Sequence, residues 1–437
     1  MNPDRFKNYG PDVRQLVLAF EGEEGRRFFD VEELEVIADY YLEVYDTEGL
    51  EAAVRLGERL YPNNSEIRLR RAQLLGVQGF YQQALRMLKQ LERDDPGNTD
   101  ICYSLGTLYS MTGHAKESID YYLRAAADGY ELGMIYGSVA DEYIKLGNTV
   151  QAVRYYRKAL LHNPNEERWL YGLSNIWEMQ SRYGQAVQFF SRHVADHPYN
   201  KAAWYCLGSA YLWGQQYDKA LAVDAFEYAL AIDSTFENAY IALAEAYISL
   251  NDMPHAVQAL RDVLGYASDR PYILHSIGLL YMEAGNYHTA YTYFHDAIKE
   301  DSSRGHLWND LGVCSEKMGY LDEAAGHYNH AINLDPECDD YWLNLADLYI
   351  DQLRFAEAAA LMESARQEAT NQYLFDNRLL YCYYKLGRRN RFFNLLAEDM
   401  SAYASQLSYL LSDYPEMAQD LEVVNAIAEI NKLKYNL

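Results

Sequence analysis

Two pairs of histidines have a spacing that would place both imidazole rings on one face of a helix. His193 and His197 are four residues apart, and His327 and His330 are three residues apart. Imidazole pairs of this kind supply ligands to zinc. Neither pair is flanked by a cysteine or by paired carboxylates at zinc-like spacing. We therefore interpret these histidines as surface or packing residues of helices, and we predict no metal site and no cofactor.

Five cysteines have the residue type for nucleophilic thiolates, metal ligands or disulfides. They are odd in number, lie far apart and include no CxxC motif, a usage that favours a reducing, cytoplasmic compartment. Because free cysteine packs as a small hydrophobic residue, we expect them to be buried rather than reactive. The five are Cys102, Cys206, Cys314, Cys338 and Cys382.

Acidic pairs such as Asp339 and Asp340 have the residue type for general acid–base chemistry. Carboxylates are also favoured at the start of a helix by its dipole, and we interpret this pair in that way. The sequence lacks the GxGxxG, GxxxxGK[ST], HExxH and GxSxG motifs. We predict no catalytic residue. An enzyme with an unrecognised site stays an alternative, which a compact cluster of groups with perturbed pKa values in a pocket would support.

The composition narrows the possible partners. The 437 residues include 38 Lys and Arg against 64 Asp and Glu, which gives a formal net charge of −26. This charge repels the phosphates of nucleic acids and the surface of anionic membranes. No stretch is long and apolar enough to span a membrane, and no secretory signal is expected at the N-terminus. The expected location is the cytoplasm.

The elements that position these side chains follow from a period of 34 residues. Apolar residues between the markers of this period fall at three- and four-residue steps, which predicts two helices per unit joined by a short turn. Glycine supplies the positive φ of the turn, and proline follows the second helix. The markers are Pro62, Pro96, Pro164, Pro198 and Pro336; Gly79, Gly113, Gly147, Gly285, Gly319 and Gly387; and Ala152, Ala186, Ala220, Ala256, Ala290, Ala324 and Ala358.

One step of the alanine series is longer than the others. Ala220 and Ala256 are 36 residues apart, and so are His193 and Ala229. We therefore predict a two-residue insertion within residues 221–228, inside the second helix of its unit. Extra residues in a helix produce a bulge or a kink, so we expect a bend or a weak joint there.

Small and large residues form separate columns in the first helix. The small ones would let two helix backbones approach closely, and the large ones beside them fill the remaining space. Tyrosine occurs 42 times against 14 phenylalanines and dominates the large column; Tyr122, Tyr156 and Tyr328 are expected to pack on second helices. The small column is Ala72, Gly106, Ala140, Gly208, Ala244, Gly278, Gly312 and Ala346, and the large column is Tyr41, Tyr109, Tyr143, Trp177, Tyr211, Tyr247, Tyr281, Tyr349 and Tyr383.

A 34-residue helix–turn–helix unit with these columns resembles the tetratricopeptide repeat. The segments LGTLYSMTG, LGSAYLWGQQYDKA and IGLLYMEAGNYHTA each contain several residues of that signature in order. The resemblance implies an all-α, right-handed superhelical solenoid with about eleven units over residues 31–406. Residues 1–30 and 407–437 are expected to form helical caps, because terminal repeats expose an apolar flank.

In solenoids of the family that this chain resembles, the first helix of each unit lines the concave face, where ligands bind. Some members hold acidic C-terminal tails there with a clamp of Lys and Asn, but the matching columns of this sequence have Asp310 and Asp347 where positive charge would help. The positions carried over predict a groove of aromatic, amide and acidic side chains. The predicted binding residues are Tyr103, Asp141, Tyr171, Asn175, Tyr205, Trp213, Tyr272, His275, Asn309, Asn344, Asp347 and Tyr381.

These observations favour a non-enzymatic scaffold or adaptor that binds a neutral or basic polypeptide segment in the groove, because acidic side chains attract positive charge. The tyrosines of the groove could instead only pack against neighbouring helices. An envelope or secretion-system assembly factor is a further alternative, because similar repeats serve in such systems. The sequence predicts a protein or peptide partner, with neither nucleic acid nor membrane insertion, and leaves the oligomeric state open.

Overall fold

The computed structural model describes residues 10–22, 27–129, 131–368, 375–398 and 407–435. Within these ranges every regular element is a helix, and no described helix is both long and apolar enough to cross a membrane. The chain divides into two compact units, Met1–Ile232 and Asp233–Leu437. Each unit is described below on its own.

The described part of the first unit consists of one leading helix followed by six helix pairs. In each pair, a first helix (even number) packs on a second helix (odd number). The helices are α1 (Pro11–Gly22), α2 (Val31–Glu43), α3 (Thr47–Leu60), α4 (Ser65–Val77), α5 (Tyr81–Asp94), α6 (Thr99–Met111), α7 (Ala115–Ala125), α8 (Leu132–Lys145), α9 (Thr149–His162), α10 (Glu167–Met179), α11 (Tyr183–Asp196), α12 (Lys201–Trp213) and α13 (Lys219–Ile232).

The second unit continues the same pattern over its described residues, with five helix pairs and two further helices. The consecutive pairs of both units confirm the all-α solenoid prediction, while the count of eleven family repeats stays a prediction. The helices are α14 (Glu237–Ser249), α15 (Met253–Val263), α16 (Arg270–Glu283), α17 (Tyr287–Glu300), α18 (Gly305–Lys317), α19 (Leu321–Leu334), α20 (Asp339–Asp351), α21 (Phe355–Glu368), α22 (Asp376–Lys385), α23 (Arg389–Glu398), α24 (Leu407–Asp413) and α25 (Leu421–Tyr435).

Side-chain caps fix where many of these helices begin. Asp30 accepts a hydrogen bond from the backbone N–H of Glu33 at 2.8 Å, and the Glu33 carboxylate accepts one from the Asp30 N–H at 3.2 Å. This reciprocal arrangement satisfies N–H groups that have no partner within α2. Other described caps with a side-chain acceptor are Asp46, Asn64, Asn98, Asn148, Asn200, Asp252, Asp269 and Asn286.

Each three-residue turn inside a described helix pair contains one residue with a positive φ, whereas the five-residue turn between α12 and α13 contains none. The glycine prediction is confirmed, for example by Gly113 with a φ of 78°. Where the period places another residue type, the backbone keeps the same conformation, with φ values of 52° at Ser181, 56° at Asn251 and 61° at Leu353. A positive φ costs a non-glycine residue about 1–2 kcal/mol. The packing of the two helices, rather than the preference of the turn residue, therefore imposes the turn.

Proline follows the second helix as predicted. Helix α3 ends at Leu60, two residues before Pro62, and α9 ends at His162, two residues before Pro164. Pro96, Pro198 and Pro336 stand at the same distance beyond α5, α11 and α19. Because proline has no N–H and cannot continue a helix, it separates the second helix of one pair from the first helix of the next.

The small column makes room for aromatic rings of the second helix. A Cβ atom on Gly106 would lie 2.6 Å from the ring of Tyr122, and one on Gly312 would lie 2.7 Å from the ring of Tyr328. Tyr122 and Tyr328 are buried, with 4% and 0% of their surface exposed. The close approach predicted for the small column and the packing predicted for these two tyrosines are thus one and the same contact.

The two-residue insertion lies in a turn, which corrects the prediction for residues 221–228. Helix α13 is continuous, whereas the turn before it has five residues, 214–218, against the three residues 180–182 between α10 and α11. The fourth residue of α13 is the buried Ala222, in the place that Ala186 occupies in α11, and Ala220 is exposed. The sequence of α13 is rich in alanine, so either Ala220 or Ala222 could belong to the alanine column. Only the burial of Ala222 shows which of the two does.

Additional helices pack at both ends of the described chain. Helix α1 buries Val17 and Phe20, and the Phe20 ring lies 6.2 Å from that of Tyr41 in α2. Helix α25 buries Val423 and Ile427 in the hydrophobic cluster of the last pair. The capping roles of residues 1–30 and 407–437 stay predictions. The expected end of the last repeat, at residue 406, lies outside the described residues.

Candidate functional site

First helices of successive pairs contact one another directly through polar side chains. In the first unit, the Arg70 guanidinium in α4 donates to Asp39 Oδ2 in α2 at 3.1 Å, and the Gln73 amide donates to the Ser104 hydroxyl in α6 at 2.9 Å. We call the surface formed by such side chains of the even-numbered helices the first-helix face. It is the surface on which the predicted binding residues were placed, and it is considered separately in each unit.

Acidic residues dominate the start of this face in the first unit. Burial raises the pKa of Asp39, and the nearby charges of Asp100 and Glu43 raise it further, against the lowering effect of Arg70. Burial also raises the pKa of Glu35, with additional repulsion from nearby acids. Carboxylates that repel one another in this way create a negative potential that favours a positively charged partner.

Asp141 is held by two groups of its own chain. The Tyr156 hydroxyl donates to Asp141 Oδ1 at 2.5 Å, and Arg168 of the next pair forms an ion pair with Oδ2. The adjacent Glu142, 2% exposed, accepts hydrogen bonds at 2.6 Å from the Ser110 hydroxyl and at 2.6 Å from the Lys145 ammonium. The sequence prediction did not include Glu142. Its two partners, Ser110 one repeat earlier and Lys145 one helical turn later, are the sequence signal that could have indicated it.

Aromatic rings continue the face along α10 and α12. Tyr171 and Tyr205, both half-buried, lie edge to face with ring centroids 6.0 Å apart. Burial raises the pKa of the Tyr171 hydroxyl, and the charge of Glu167 adds to this effect. The hydroxyl therefore stays protonated near neutral pH and can donate a hydrogen bond. Trp213 at the end of α12 is 50% exposed, and Asn175, four residues after Tyr171 in α10, is also exposed.

Tyr103 contributes to a small apolar cavity of the same unit. The cavity has a volume of about 170 Å³ and is lined by side chains of α4 and α6, among them Ala72, Tyr103 and Leu108. The Tyr103 ring lies 5.3 Å from that of Tyr122, whose pKa is raised to about 12 by burial. Tyr103 is thus half-buried on a ring of its own chain and presents its other side to a cavity large enough for an apolar side chain.

In the second unit, a hydrogen-bonded chain crosses three first helices. The Asn344 amide in α20 donates to Asn309 Oδ1 in α18 at 2.8 Å, and the Asn309 amide donates to the neighbouring Asp310 at 3.2 Å. His275 in α16 lies 2.7 Å from Asp310 Oδ2. The structure therefore brings three predicted residues together through Asp310, which sequence analysis treated only as a misplaced negative charge.

The remaining predicted residues of the second unit differ in their exposure. Asp347 forms a two-pronged ion pair with Arg378 of the next first helix, with N···O distances of 2.5 and 2.9 Å. Tyr381 stacks on Tyr414, with ring centroids 4.0 Å apart. Tyr272 is 45% exposed. Tyr272 therefore presents an open ring, whereas Asp347 and Tyr381 are partly covered by side chains of their own chain.

Of the two histidine pairs, His193 is buried, His197 and His327 are half-buried and His330 is exposed. Four cysteines are buried as expected, whereas Cys338 is only half-buried. His193 Nε2 lies 2.9 Å from the carbonyl oxygen of Pro164, and burial lowers the pKa of His193. The described residues contain no group of three His, Cys, Asp or Glu side chains arranged to hold a metal ion. Cys206 and Cys314 are buried, which raises the pKa of each thiol to about 12. These two thiols behave as small apolar side chains near neutral pH.

Comparison with known families identifies the helix pairs. A tetratricopeptide repeat model matches residues 69–131, 140–201, 275–333 and 316–373, and a second model of the same description matches residues 237–270. Together these segments cover more than half of the chain. The chain belongs to the tetratricopeptide-repeat family. Tetratricopeptide-repeat proteins generally mediate protein–protein interactions, and repeat arrays present extended surfaces for binding.

Curated relatives of this tetratricopeptide-repeat protein are distant. It is 20% identical over 288 residues to BBSome complex member BBS4 of Bos taurus, an alignment that covers 65% of this chain and 52% of that protein. It is 25% identical over 218 residues to Superkiller protein 3 of Schizosaccharomyces pombe, covering 46% of this chain and 15% of that protein. The chain thus spans about half or less of the length of these relatives.

Solved structures of similar chains are also distant. The crystal structure of the APC/C hetero-tetramer Cut9-Hcn1 is 14% identical and aligns over 96% of this chain and 92% of that chain, with a TM-score of 0.36. A tetratricopeptide repeat protein of Parabacteroides merdae is 16% identical over 58% of this chain and 99% of that chain, with a TM-score of 0.39. Because these scores are low, the family assignment rests on the repeat models.

Proposed function

We propose that this protein is a non-enzymatic scaffold or adaptor that binds a neutral or basic polypeptide segment along its first-helix face. Tetratricopeptide repeats generally bind other proteins, and the proposal adds the face and the chemistry of the segment. The cytoplasm is the proposed location. The observation that carries the proposal is the combination, on one face, of mutually repelling carboxylates with open or half-buried aromatic rings.

The charge argument begins with Asp39 and Glu35. Both have raised pKa values because burial and neighbouring acids disfavour their ionised forms. A lysine or arginine of a bound segment would relieve that repulsion, so part of the binding free energy comes from acids that are unfavourable in the unbound protein. An acidic segment would increase the same repulsion, which is why the proposal specifies a neutral or basic partner.

The aromatic argument begins with Tyr171, Tyr205 and Trp213. The two tyrosines are already held in place by their edge-to-face contact, so little side-chain entropy is lost when a segment packs on them. Trp213 is half exposed and lies with Ser174, Glu178 and Ser209 around a small depression. Rings with a polar tip suit an extended peptide, because they offer apolar contact and hydrogen bonds together.

Affinity purification followed by mass spectrometry tests the proposal. The full chain, a Tyr171→Ala/Tyr205→Ala/Trp213→Ala variant and a Tyr199→Ala control are compared as baits. Tyr199 is 87% exposed and lies in the connection between α11 and α12, outside both helices. We expect a partner that the wild-type chain and the control retain, that the triple variant loses, and whose bound segment is neutral or basic.

A second variant separates loss of binding from loss of folding. Asn175→Ala/Trp213→Ala changes only exposed side chains, so its helix content and melting temperature should match those of the wild type. It should still retain less partner. Equal recovery of the same partner by the wild type and by both groove variants would show that the segment binds elsewhere.

A further inference from the structure

A basic groove lies between two second helices of the first unit. Helices α9 and α11 flank a groove of about 660 Å³. Arg154, Arg157, Lys158 and Arg192 line it, against one acidic side chain, Asp196. The protein as a whole has a formal net charge of −26, so this concentration of positive charge is local. It lies on odd-numbered helices and not on the first-helix face.

Elsewhere, a cation at the same register is hydrogen-bonded within the protein. Arg261, the ninth residue of α15, donates at 3.0 Å to the hydroxyl of Tyr293 and at 3.0 Å to that of Tyr281. Lys89, the ninth residue of α5, contacts the Tyr121 hydroxyl and donates to Glu92 at 3.1 Å. In both cases the cation of one second helix lies on the ring of the tyrosine 32 residues later and donates a hydrogen bond to the hydroxyl of that tyrosine.

Arg157 repeats this arrangement without an acceptor. It is the ninth residue of α9 and lies 5.6 Å from the ring centre of Phe189, again 32 residues later. Phe189 in turn packs on Trp177, with ring centroids 5.5 Å apart. Phenylalanine has no hydrogen-bonding group and the indole of tryptophan is only a donor. The aromatic pair therefore holds the guanidinium in place but leaves its N–H donors without an acceptor from these rings.

The neighbouring cations of the groove are also able to bind an acidic group of a ligand. In the part of the chain that the structure describes, neither Arg154 nor Lys158 has a carboxylate at ion-pair distance, and the Lys158 ammonium lies over the rings of Tyr136 and Tyr155, 5.0 and 4.9 Å from their centres. Arg192 meets Asp196 only at 3.9 Å. Several oriented donors thus face solvent across one groove.

Apolar side chains accompany these cations. Val150 and Leu161, near the two ends of α9, are 70% and 82% exposed. Phe189, also part of the lining, is half-buried. A surface that combines exposed apolar groups with cations that lack a carboxylate partner among the described residues, such as Arg154 and Lys158, complements a ligand with carboxylates and apolar side chains on the same face.

We propose that the groove between α9 and α11 binds an acidic polypeptide segment that also carries apolar side chains. Carboxylates of the segment accept hydrogen bonds from Arg154 and Arg157, and its apolar residues cover Val150 and Leu161. A nucleic acid would leave those apolar side chains uncovered and would be repelled by the net charge of the protein. The groove would give the protein a second binding surface whose charge preference is opposite to that proposed for the first-helix face.

Fluorescence anisotropy on the full chain tests this proposal. The probe is a labelled helical peptide of Glu and Leu, about 14 residues long so that it matches the length of α9, roughly 21 Å. A second peptide has Gln in place of Glu. We expect the Glu peptide to bind at least about tenfold more tightly than the Gln peptide, and an Arg154→Glu/Arg157→Glu variant to weaken its binding by about tenfold or more.

Arg86→Glu is the matched control. Arg86 is exposed and is the sixth residue of α5, as Arg154 is of α9, and its hydrogen bond stays within its own helix. The control should bind the Glu peptide like the wild type. Equal binding of both peptides, unchanged binding by the double variant, or tighter binding of a single-stranded RNA through the same arginines would each overturn the proposal. So would self-association of the unliganded chain that the double variant abolishes, because a second copy would then occupy the groove.

Discussion

Tyr171 and Tyr205 lie edge to face on first helices of successive pairs, with ring centroids 6.0 Å apart and ring planes inclined at 80°. The contact joins α10 to α12 and fixes the orientation of both rings. The edge of one ring meets the face of the other, and neither ring is fully buried. These two tyrosines therefore pack neighbouring repeats against each other and also form part of the first-helix face. The two roles considered from the sequence, packing and ligand binding, are compatible.

The contact between Gly312 and Tyr328 predicts that two Gly→Ala substitutions will have very different effects on the free energy of unfolding. In Gly312→Ala the new methyl group would meet the fully buried Tyr328 ring, and we expect a loss of about 1–3 kcal/mol in the free energy of unfolding. Gly326→Ala in α19 has open space around it and should stabilise the helix by about 0.5–1 kcal/mol. Urea unfolding of the two variants measures the difference. A Gly312→Ala variant as stable as Gly326→Ala would contradict the packing described.

The position of the insertion predicts the effect of two deletions. Removing Gln215 and Gln216, both exposed, shortens the turn between α12 and α13 to the three residues seen in other pairs. The melting temperature should fall by only a few degrees, because Tyr217 would take the positive φ of the shortened turn at a cost of about 1–2 kcal/mol. Removing Val223 and Asp224 instead rotates the fully buried Phe226 by roughly 200° relative to the start of α13, at a cost of about 3 kcal/mol or more. Thermal melts followed by circular dichroism compare the two, and the opposite ranking would place the insertion in the helix after all.

The lowered pKa of Asp301 predicts that part of the stability of the protein depends on pH in the acidic range. Hydrogen bonds from Ser303 and Arg304 lower its pKa to about 2. A carboxylate with a depressed pKa in the folded state contributes stability above its unfolded pKa, about 3.9, and this contribution is lost as the pH falls towards about 2. Asp301→Asn should therefore lower the urea midpoint at pH 6, and the difference from the wild type should shrink between pH 4 and about 2.

Asp296→Asn is the control for this pH dependence. The half-buried Asp296 pairs with the exposed Lys299 of its own helix at 2.9 Å, and 47% of the Asp296 side chain is exposed. Surface pairs of this kind contribute little, so its effect on the urea midpoint should be small at every pH. A difference between wild type and Asp301→Asn that stays constant down to about pH 2 would mean that the Asp301 carboxylate does not contribute through its charge.

The fold was predictable because glycine, proline and the small column each have one physical use in a helix pair. Glycine provides the positive φ of the turn, proline ends the second helix, and the small column lets the two helices approach closely. These requirements are local and recur with the repeat. The insertion was misplaced because α13 has alanine at both Ala220 and Ala222. Composition cannot distinguish these two registers, and only the burial of Ala222 does.

The candidate site was less predictable, because its contacts join side chains about one repeat apart. Sequence analysis placed Asn309 and Asn344 on one face, but not the hydrogen bond between them, which depends on the direction of each amide. The same holds for the Arg378 partner of Asp347. The basic groove was missed because Arg157 differs from Arg261 in the aromatic residues around it, Phe189 and Trp177 in place of Tyr293 and Tyr281.

Site-specific photocrosslinking tests the central proposal most directly. A photoreactive p-benzoylphenylalanine is introduced in place of Tyr205 on the first-helix face or, as a control, in place of the exposed Tyr199, and the purified chain is irradiated with the partner recovered by affinity purification. The proposal predicts a crosslink from position 205 to a neutral or basic segment of the partner, and none from position 199. A crosslink from position 199 alone, or from position 205 to a strongly acidic segment, would contradict it.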